Sequence, residues 1–414
     1  MTQHNATRPR LDAPFAQCTL SRRQLLALAG ASATLPLMAQ TTTPWSQIEA
    51  AARGQTVYFN AWGGSDTINT YIQWARAEVF QRFGVKVEHV KVTDAADVVK
   101  RVRNEKAAGK KDGTVDVVWI NGENFFTMKR EGLLFGPFAE NLPAYAAVDV
   151  RGKPTTRIDF SEPVDGMEAP WGMAQLTFMA DRKRVAKPPQ NMAELLAFAK
   201  ANPGRVSYPR PPNFHGTTFI KQALLEVNPD RAALYKPATP ETLSRATAPL
   251  WAYLDALHPH LWRTGRQFPQ NAGAMGQMFA DGELLLSFTF NPNDAANEIA
   301  AKRLAESVDS YQFASGTVGN THFLAIPVNA RAAAGAQVFI NFLLGAQAQA
   351  RKADIAVWGD PTVLALDQLP SADRAAFAAK PLPGQVTKPA PAIPEPHGSW
   401  VDPIEKEWTK RYGQ

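Results

Sequence analysis

The sequence predicts an α/β protein of two lobes, each a mainly parallel sheet flanked by helices, with a cleft between the lobes. Strand-like and helix-like segments alternate from residue 55 to residue 120, and this order favours a parallel sheet with helices on its faces. A second α/β unit begins near residue 175, after a Pro-rich loop. About 375 residues follow a leader-like N-terminal segment, which is more than one ordinary core accommodates.

The N-terminal segment has the pattern of a twin-arginine export signal. Arg22 and Arg23 follow Ser21 and precede a mildly apolar run over 25–38, which is too short to span a bilayer. A small residue, Ala39, then offers a cleavage site, so we expect residues 1–39 to be removed and the mature chain to reach the periplasm.

Removal of this segment changes what the composition implies. The formal charge of +6 falls to about +3, so the basic balance is partly a property of the signal and predicts no nucleic-acid partner. Cys18, the only cysteine of the chain, lies in the same segment. We therefore expect no disulfide, thiolate catalysis or cysteine metal site, no stable membrane insertion, and a free monomer.

The first lobe is expected to begin with a buried strand and an amphipathic helix. Helical spacing of apolar residues predicts the helix over 66–83, with Ser65 or Asp66 as its N-cap. Its expected buried face consists of Ile68, Tyr71, Ile72, Ala75 and Val79. Patterns of the same kind predict strands over 55–60, 85–92 and 116–120 and a helix over 94–108.

The second unit repeats this alternation with longer helices. Strands are expected over 171–180, 205–208, 283–290 and 323–328. Helices are expected over 191–200, 217–227, 241–257, 274–280, 294–305 and 332–353. From residue 359 onward proline becomes frequent, which predicts an extended tail on the surface, closed by a short helix over 404–412.

Candidate binding residues collect in loops that follow predicted strands. Open parallel sheets bind ligands at this edge, because the next helices direct free N–H groups into the crevice. Glycines admit a ligand close to the backbone, Asn, Ser and Thr supply hydrogen bonds, and tryptophan offers a flat face to a ring or cation. The candidates are Trp62, Gly63, Gly64, Ser65, Asp66, Asn121, Gly122, Glu123, Asn124, Trp171, Asn213, Phe214, His215, Gly216, Thr217, Phe290 and Asn291.

Each candidate also has a purely structural interpretation. The Gly63-Gly64 pair is compatible with a simple turn, both tryptophans with core positions, and Asn213 with a helix cap. Motifs of catalysis are absent from the sequence: it contains no G-x-S-x-G, P-loop, H-E-x-x-H or dinucleotide fingerprint. A secreted, cofactor-free hydrolase that uses Asp66, Glu123 and His215 stays as the alternative to a binding protein.

Several long segments resemble the family 1 extracellular solute-binding proteins of ABC transporters. They are VYFNAWGGSDTINTYI, DVVWINGENFFTMKREGLL, APWGMAQLTFMAD, FADGELLLSFTFNPNDA and FINFLLGAQAQARKA. Within this family the chain is most similar to the YnjB-like group, which is related to thiamine- and iron-binding members. Iron-binding members use a late tyrosine pair, and the corresponding region here offers only Tyr311.

The resemblance implies a type II periplasmic fold and a hinge-bending receptor without catalytic activity, cofactor or metal. It implies an ABC permease and its ATPase subunit as partners. It also places the lobe crossings, with lobe 1 over 40–170 and 291–330, lobe 2 over 171–290 and 331–358, and the tail over 359–414. The tryptophans beside Asp66 and Glu123 favour a small polar or cationic solute, for instance a thiamine-like ring compound.

Overall fold

The computed structural model describes residues 43–120, 122–378 and 382–413, so the predicted export signal and Asn121 lie outside the described residues. The strands are β1 Thr56–Trp62, β2 Lys86–Val92, β3 Val117–Ile120, β4 Ile158–Asp159, β5 Glu162–Pro163, β6 Glu168–Gln175, β7 Thr177–Asp181, β8 Leu286–Thr289, β9 Val308–Tyr311, β10 Thr317–Ala325 and β11 Ala392–Ile393. The helices are α1 Trp45–Ala52, α2 Asp66–Phe83, α3 Ala95–Ala107, α4 Gly122–Arg130, α5 Met192–Ala201, α6 Phe214–Val227, α7 Arg231–Leu234, α8 Pro240–Leu257, α9 Ala272–Ala280, α10 Asp294–Ala300, α11 Ala333–Leu344, α12 Ala346–Ala353, α13 Ser371–Ala375 and α14 Val401–Tyr412.

One mixed sheet has the order β11-β10-β3-β1-β2, with β6 paired to β10; strands β1, β2 and β3 belong to the first lobe, and β11 pairs with the end of β10 that lies in the second lobe. Strand β1 pairs in parallel with β2 and β3, whereas β10 runs antiparallel to β3 and β6. Apolar side chains alternate between the two faces, so each face of the sheet carries its own core. Phe59 and Leu324 belong to one core, and Val118 and Phe323 to the other.

The second lobe has an antiparallel sheet, which corrects our expectation of a mainly parallel one. Its strand order is β8-β7-β9, and both pairings are antiparallel. The predicted strand over 205–208 stays outside the strands, although its carbonyl groups accept from Leu285 and Trp262. The apolar faces of α5, α6, α8 and α9 pack with this sheet in a single core.

Strands β6 and β10 cross from one lobe to the other as an antiparallel pair. Ala169 in β6 packs in the core of the first lobe, and Ala174 in the core of the second. Val318 and Leu324 of β10 are divided in the same way. The resemblance places the return crossing in the segment FADGELLLSFTFNPNDA, but β8 in this segment pairs within the second lobe, and β10 makes the return.

Two further segments lie in the lobe opposite to the one expected. Residues 294–311, which form α10 and β9, belong to the second lobe, because β9 pairs with β7. Helices α11 and α12 pack on the first lobe, where Val338 and Phe339 share a core with Val57. The predicted single helix over 332–353 is divided at Gly345.

The C-terminal tail is part of both lobes and not a surface wrap. Val363 and Leu364 lie in the core of the first lobe, while Trp400 and Trp408 are fully buried in that of the second. Among the described residues, no helix is long and apolar enough to cross a membrane.

Candidate functional site

The first predicted loop forms the turn between β1 and α2. Trp62 is 39% exposed, and its ring lies against Gly64. The Gly63 N–H donates to the carbonyl of Val92 at 3.1 Å. Ser65 caps α2 by accepting from the Ile68 N–H at 3.5 Å, so its hydroxyl has a structural task. Asp66, the first residue of α2, is exposed.

The second loop turns from β3 into α4. Gly122 has a positive φ of 59°, and its N–H donates to Asp159 Oδ2 at 2.6 Å. Phe160 lies against the same glycine, so a side chain here would collide with its ring. Glu123 is half-buried and Asn124 is buried at the start of the helix.

The third loop begins α6 in the second lobe. Asn213 caps the helix, because its Oδ1 accepts from the His215 N–H at 3.1 Å. Gly216 packs against the carbonyl of Pro209, and Thr217 donates to Glu405 Oε1 at 2.5 Å. Burial lowers the pKa of His215 to about 4, so its imidazole is neutral near pH 7.

The fourth loop joins the third loop and reaches the first lobe. Phe290 meets the ring of Phe214 edge-on, with 5.2 Å between the centroids. Asn291 donates from its Nδ2 to the carbonyl of Trp358 at 3.1 Å, and Trp358 packs in the core of the first lobe. These contacts place the fourth loop at the boundary between the lobes.

Trp171 is a core residue, which corrects its expected role as a platform for a ligand. It is 1% exposed and packs edge-on against Trp119 and Phe59. Trp119 is partly exposed, with its ring 5.2 Å from that of His322. Trp119, in the strand directly before the second loop, was not among the predicted site residues.

Charged side chains meet between the lobes in a buried group, which we call the interlobe charge cluster. Its members are Glu123, Asp159, Glu168, Lys221 and Glu395. Lys221 of α6 forms an ion pair with Glu395 of the tail at 2.7 Å, and both side chains are at most 2% exposed. Asp159 and Glu168 are equally buried and belong to the first lobe. The cluster thus joins both lobes and the tail.

Carboxyl groups outnumber ammonium groups in this cluster. Both oxygens of Glu168 and the Oδ1 of Asp159 have no hydrogen-bond partner among the residues that the structure describes. Burial raises the pKa of all four carboxyl groups, and the ammonium of Lys221 partly opposes this for Glu123 and Glu395. Such a group of carboxyls is suited to a positively charged partner.

A second buried group lies beside the aromatic side chains of the first lobe. Lys352 donates to Asp360 Oδ2, and His322 contacts Asp360 Oδ1 at 3.0 Å. Burial raises the pKa of Asp360, but Lys352 and His322 overcome this effect and hold it below its usual range. Asp360 is thus ionised and neutralised within the protein, in contrast to the carboxyls of the interlobe charge cluster.

Sequence reasoning missed Asp159, Glu168, Lys221 and Glu395. A sequence pattern could have indicated two of them. Glu168 and Lys221 are charged residues inside otherwise apolar segments, where a buried charge needs a partner. Glu395 stands in the Pro-rich tail, and nothing in its surroundings distinguishes it from a surface residue.

In the part of the chain that the structure describes, no hydrogen bond joins the side chains of Asp66, Glu123 and His215. Over the same residues, no three His, Cys, Asp or Glu side chains are placed to hold a metal ion.

Comparison with known proteins agrees with this architecture. The model of the bacterial extracellular solute-binding protein family matches residues 74–378. Protein YnjB of Escherichia coli (strain K12) is 48% identical over 377 residues, which cover 91% of this chain and 96% of YnjB. The chain therefore belongs to the bacterial extracellular solute-binding proteins.

Solved structures of periplasmic binding proteins share the two-lobed fold. AfuA from Actinobacillus pleuropneumoniae, with fructose-6-phosphate bound, has a TM-score of 0.61 at 14% identity, over 87% of this chain and 99% of AfuA. The spermidine/putrescine transporter substrate-binding protein PotD from Streptococcus pneumoniae has a TM-score of 0.53 at 14% identity, over 87% of this chain and 96% of PotD. The family consists of extracellular solute-binding proteins, and this places the chain outside the cytoplasmic membrane, in the periplasm.

Proposed function

We propose that this chain is the receptor of an ABC importer that binds a small polar or cationic organic solute between its lobes. The interlobe charge cluster carries the proposal, because Asp159, Glu168 and Glu395 are buried and Glu123 is half-buried, whereas Lys221 forms its ion pair with Glu395 alone. A bound cation restores the charge balance that the protein leaves open.

Aromatic side chains at the same boundary support an organic cation. Phe160, Phe214 and Phe290 lie beside the cluster. Aromatic faces attract cations through the negative potential of the ring. Among the structural neighbours, PotD is named for spermidine and putrescine, whereas AfuA holds fructose-6-phosphate. The fold thus accepts opposite charges, and the side chains in the cleft decide between them.

The way in which the lobes are connected supports delivery of the solute to a permease. The β6–β10 pair crosses between them, so closure about these strands enfolds the solute, and the closed form docks on the permease with its ATPase subunit. Closure requires that the solute binds the closed arrangement more tightly than the open one. The arginine pair at residues 22–23 supports export in the folded state through the twin-arginine pathway.

Native mass spectrometry of the protein purified without refolding tests this function. We expect a retained organic mass that is neutral or positively charged in solution. Replacement of Glu123 by Gln is expected to weaken its retention at least tenfold, whereas the exposed Glu306→Gln control is expected to retain it fully. Retention of phosphate or another anion would contradict the cationic preference, and turnover of the retained compound would favour the hydrolase.

A further inference from the structure

The ammonium group of Lys221 occupies a box of aromatic and acidic side chains. Its Nζ lies 2.7 Å from Glu395 Oε2 and 4.0 Å from the centroid of the Phe160 ring. The ring of Phe214 follows at 5.7 Å. A carboxylate on one side and aromatic faces on the others are the surroundings that bind alkylammonium groups.

The walls of the box are held in place by contacts that do not involve Lys221. Ser161 Oγ donates to the carbonyl of Glu395 at 2.9 Å, and the Gly398 N–H donates to that of Phe160 at 3.2 Å. Asn320 Nδ2 donates to Glu395 Oε1 at 3.1 Å. The position of the carboxylate and of the first ring is therefore set by the β4–β5 turn, β10 and the tail.

Lys221 reaches this box, where it is buried, on a long side chain. Its ammonium stands at the end of a flexible four-carbon stem, whereas the hydrogen bonds described above hold the backbone of the walls. The lysine also comes from the second lobe, while Phe160 comes from the first. Opening of the lobes thus separates the ammonium from one of its walls.

We propose that Phe160, Phe214 and Glu395 form an alkylammonium subsite, which Lys221 fills from the protein side and which an ammonium group of the solute enters when Lys221 withdraws. This inference rests on the proposed binding of a cationic solute between the lobes. It names the subsite and makes Lys221 a competitor of the solute.

Shortening the lysine tests the subsite directly. The K221A variant leaves Glu395 beneath the aromatic rings, and n-propylammonium chloride is expected to raise its thermal midpoint by several degrees above an equal concentration of potassium chloride. The K221A/E395Q double variant is expected to lose this response. A matched control is K352A, whose remaining partner Asp360 keeps its contact with His322 and is expected to show no response. The absence of a response in K221A, or an equal response in the double variant, overturns the subsite.

If K221A does not fold, a second variant tests whether Lys221 competes with the solute. K221M keeps the volume of the side chain without its charge, and it is expected to bind the solute retained by the wild type at least as tightly, because the competing ammonium is gone. A tenfold loss of affinity in K221M would make Lys221 a partner of the solute and overturn the proposal. If the wild type retains no solute while K221A responds to n-propylammonium, the proposed function fails and the subsite stands.

Discussion

At the residue scale, Gly122 shows how one position fixes the geometry of the second loop. Its positive φ of 59° lies in the left-handed region, and Phe160 occupies the space that a side chain would need. Its N–H also holds Asp159, a member of the interlobe charge cluster. Only glycine allows this close approach of α4 to the β4–β5 turn.

We expect Gly122→Ala to lower the free energy of unfolding by at least about 2 kcal/mol, because it combines backbone strain with a collision. The matched control is Gly276→Ala in α9, where an added methyl group meets nothing within 4 Å. That change is expected to stabilise the helix by about 0.5–1 kcal/mol. Urea unfolding of both variants measures the two effects, and equal changes would contradict the argument.

Glu405 allows a prediction of pH dependence. Burial raises its pKa from 4.5 to about 7, although the hydrogen bond from Thr217 lowers it; Glu123, Lys221 and Asp94 are the charged groups around it. A carboxyl whose pKa is higher in the folded state stabilises below the unfolded pKa, and this contribution is lost as the pH rises through the folded pKa.

Replacement of Glu405 by Gln is therefore expected to change stability little at pH 4 and to raise it at pH 8 by up to about 3 kcal/mol. Chemical unfolding from pH 4 to pH 8 measures the difference from the wild type. The exposed Glu306→Gln serves as control and is expected to follow the wild-type curve. A difference that does not grow between pH 4.5 and pH 7 would refute the assigned ionisation.

At the element scale, local patterns predicted well what local forces determine. Helix α2 begins and ends where its periodicity predicts, with the expected cap and the expected buried face. The second lobe was harder, because strand β7 pairs with β8 and β9, which lie far from it in the sequence and give no hairpin signal. Residues 205–208 have the composition of a strand but use their carbonyl groups for loops. The interlobe charge cluster was not predicted for the same reason, since its members come from four distant segments.

Helix α14 illustrates such a distant contact. Its Trp408 is fully buried in the core of the second lobe and donates from Nε1 to Tyr208 Oη at 2.8 Å. We expect Trp408→Ala to lower the free energy of unfolding by about 3–5 kcal/mol, through lost burial and a cavity. Lys410→Ala on the exposed side of the same helix is expected to change it by less than about 0.5 kcal/mol. Urea unfolding followed by circular dichroism distinguishes this anchored helix from a loosely attached one.

At the scale of the whole molecule, the tail connects the lobes independently of the crossing strands. Residues 392–412 pack mainly on the second lobe, where the Trp400 Nε1 donates to the carbonyl of Lys236 at 2.9 Å. The same segment touches the first lobe at Phe160 and at Phe126 of α4. Opening of the cleft must therefore break the contacts between the tail and α4, and a covalent link at this point should prevent opening.

Phe126 and Gly398 offer the place for that link. A Cβ built on Gly398 lies 3.4 Å from the Cβ of Phe126, close to the separation in disulfides. Because the chain has its only cysteine at residue 18, before the expected cleavage site, a Phe126→Cys/Gly398→Cys variant of the mature chain has a single possible pairing. We expect its oxidised form to have the same radius of gyration with and without solute, and its reduced form to be larger without solute.

Small-angle scattering measures both states, and the Gly398→Cys single variant controls for the substitution. Solute-induced compaction of the oxidised form would contradict closure about β6 and β10, because the lobes would then move without breaking the contact between the tail and α4.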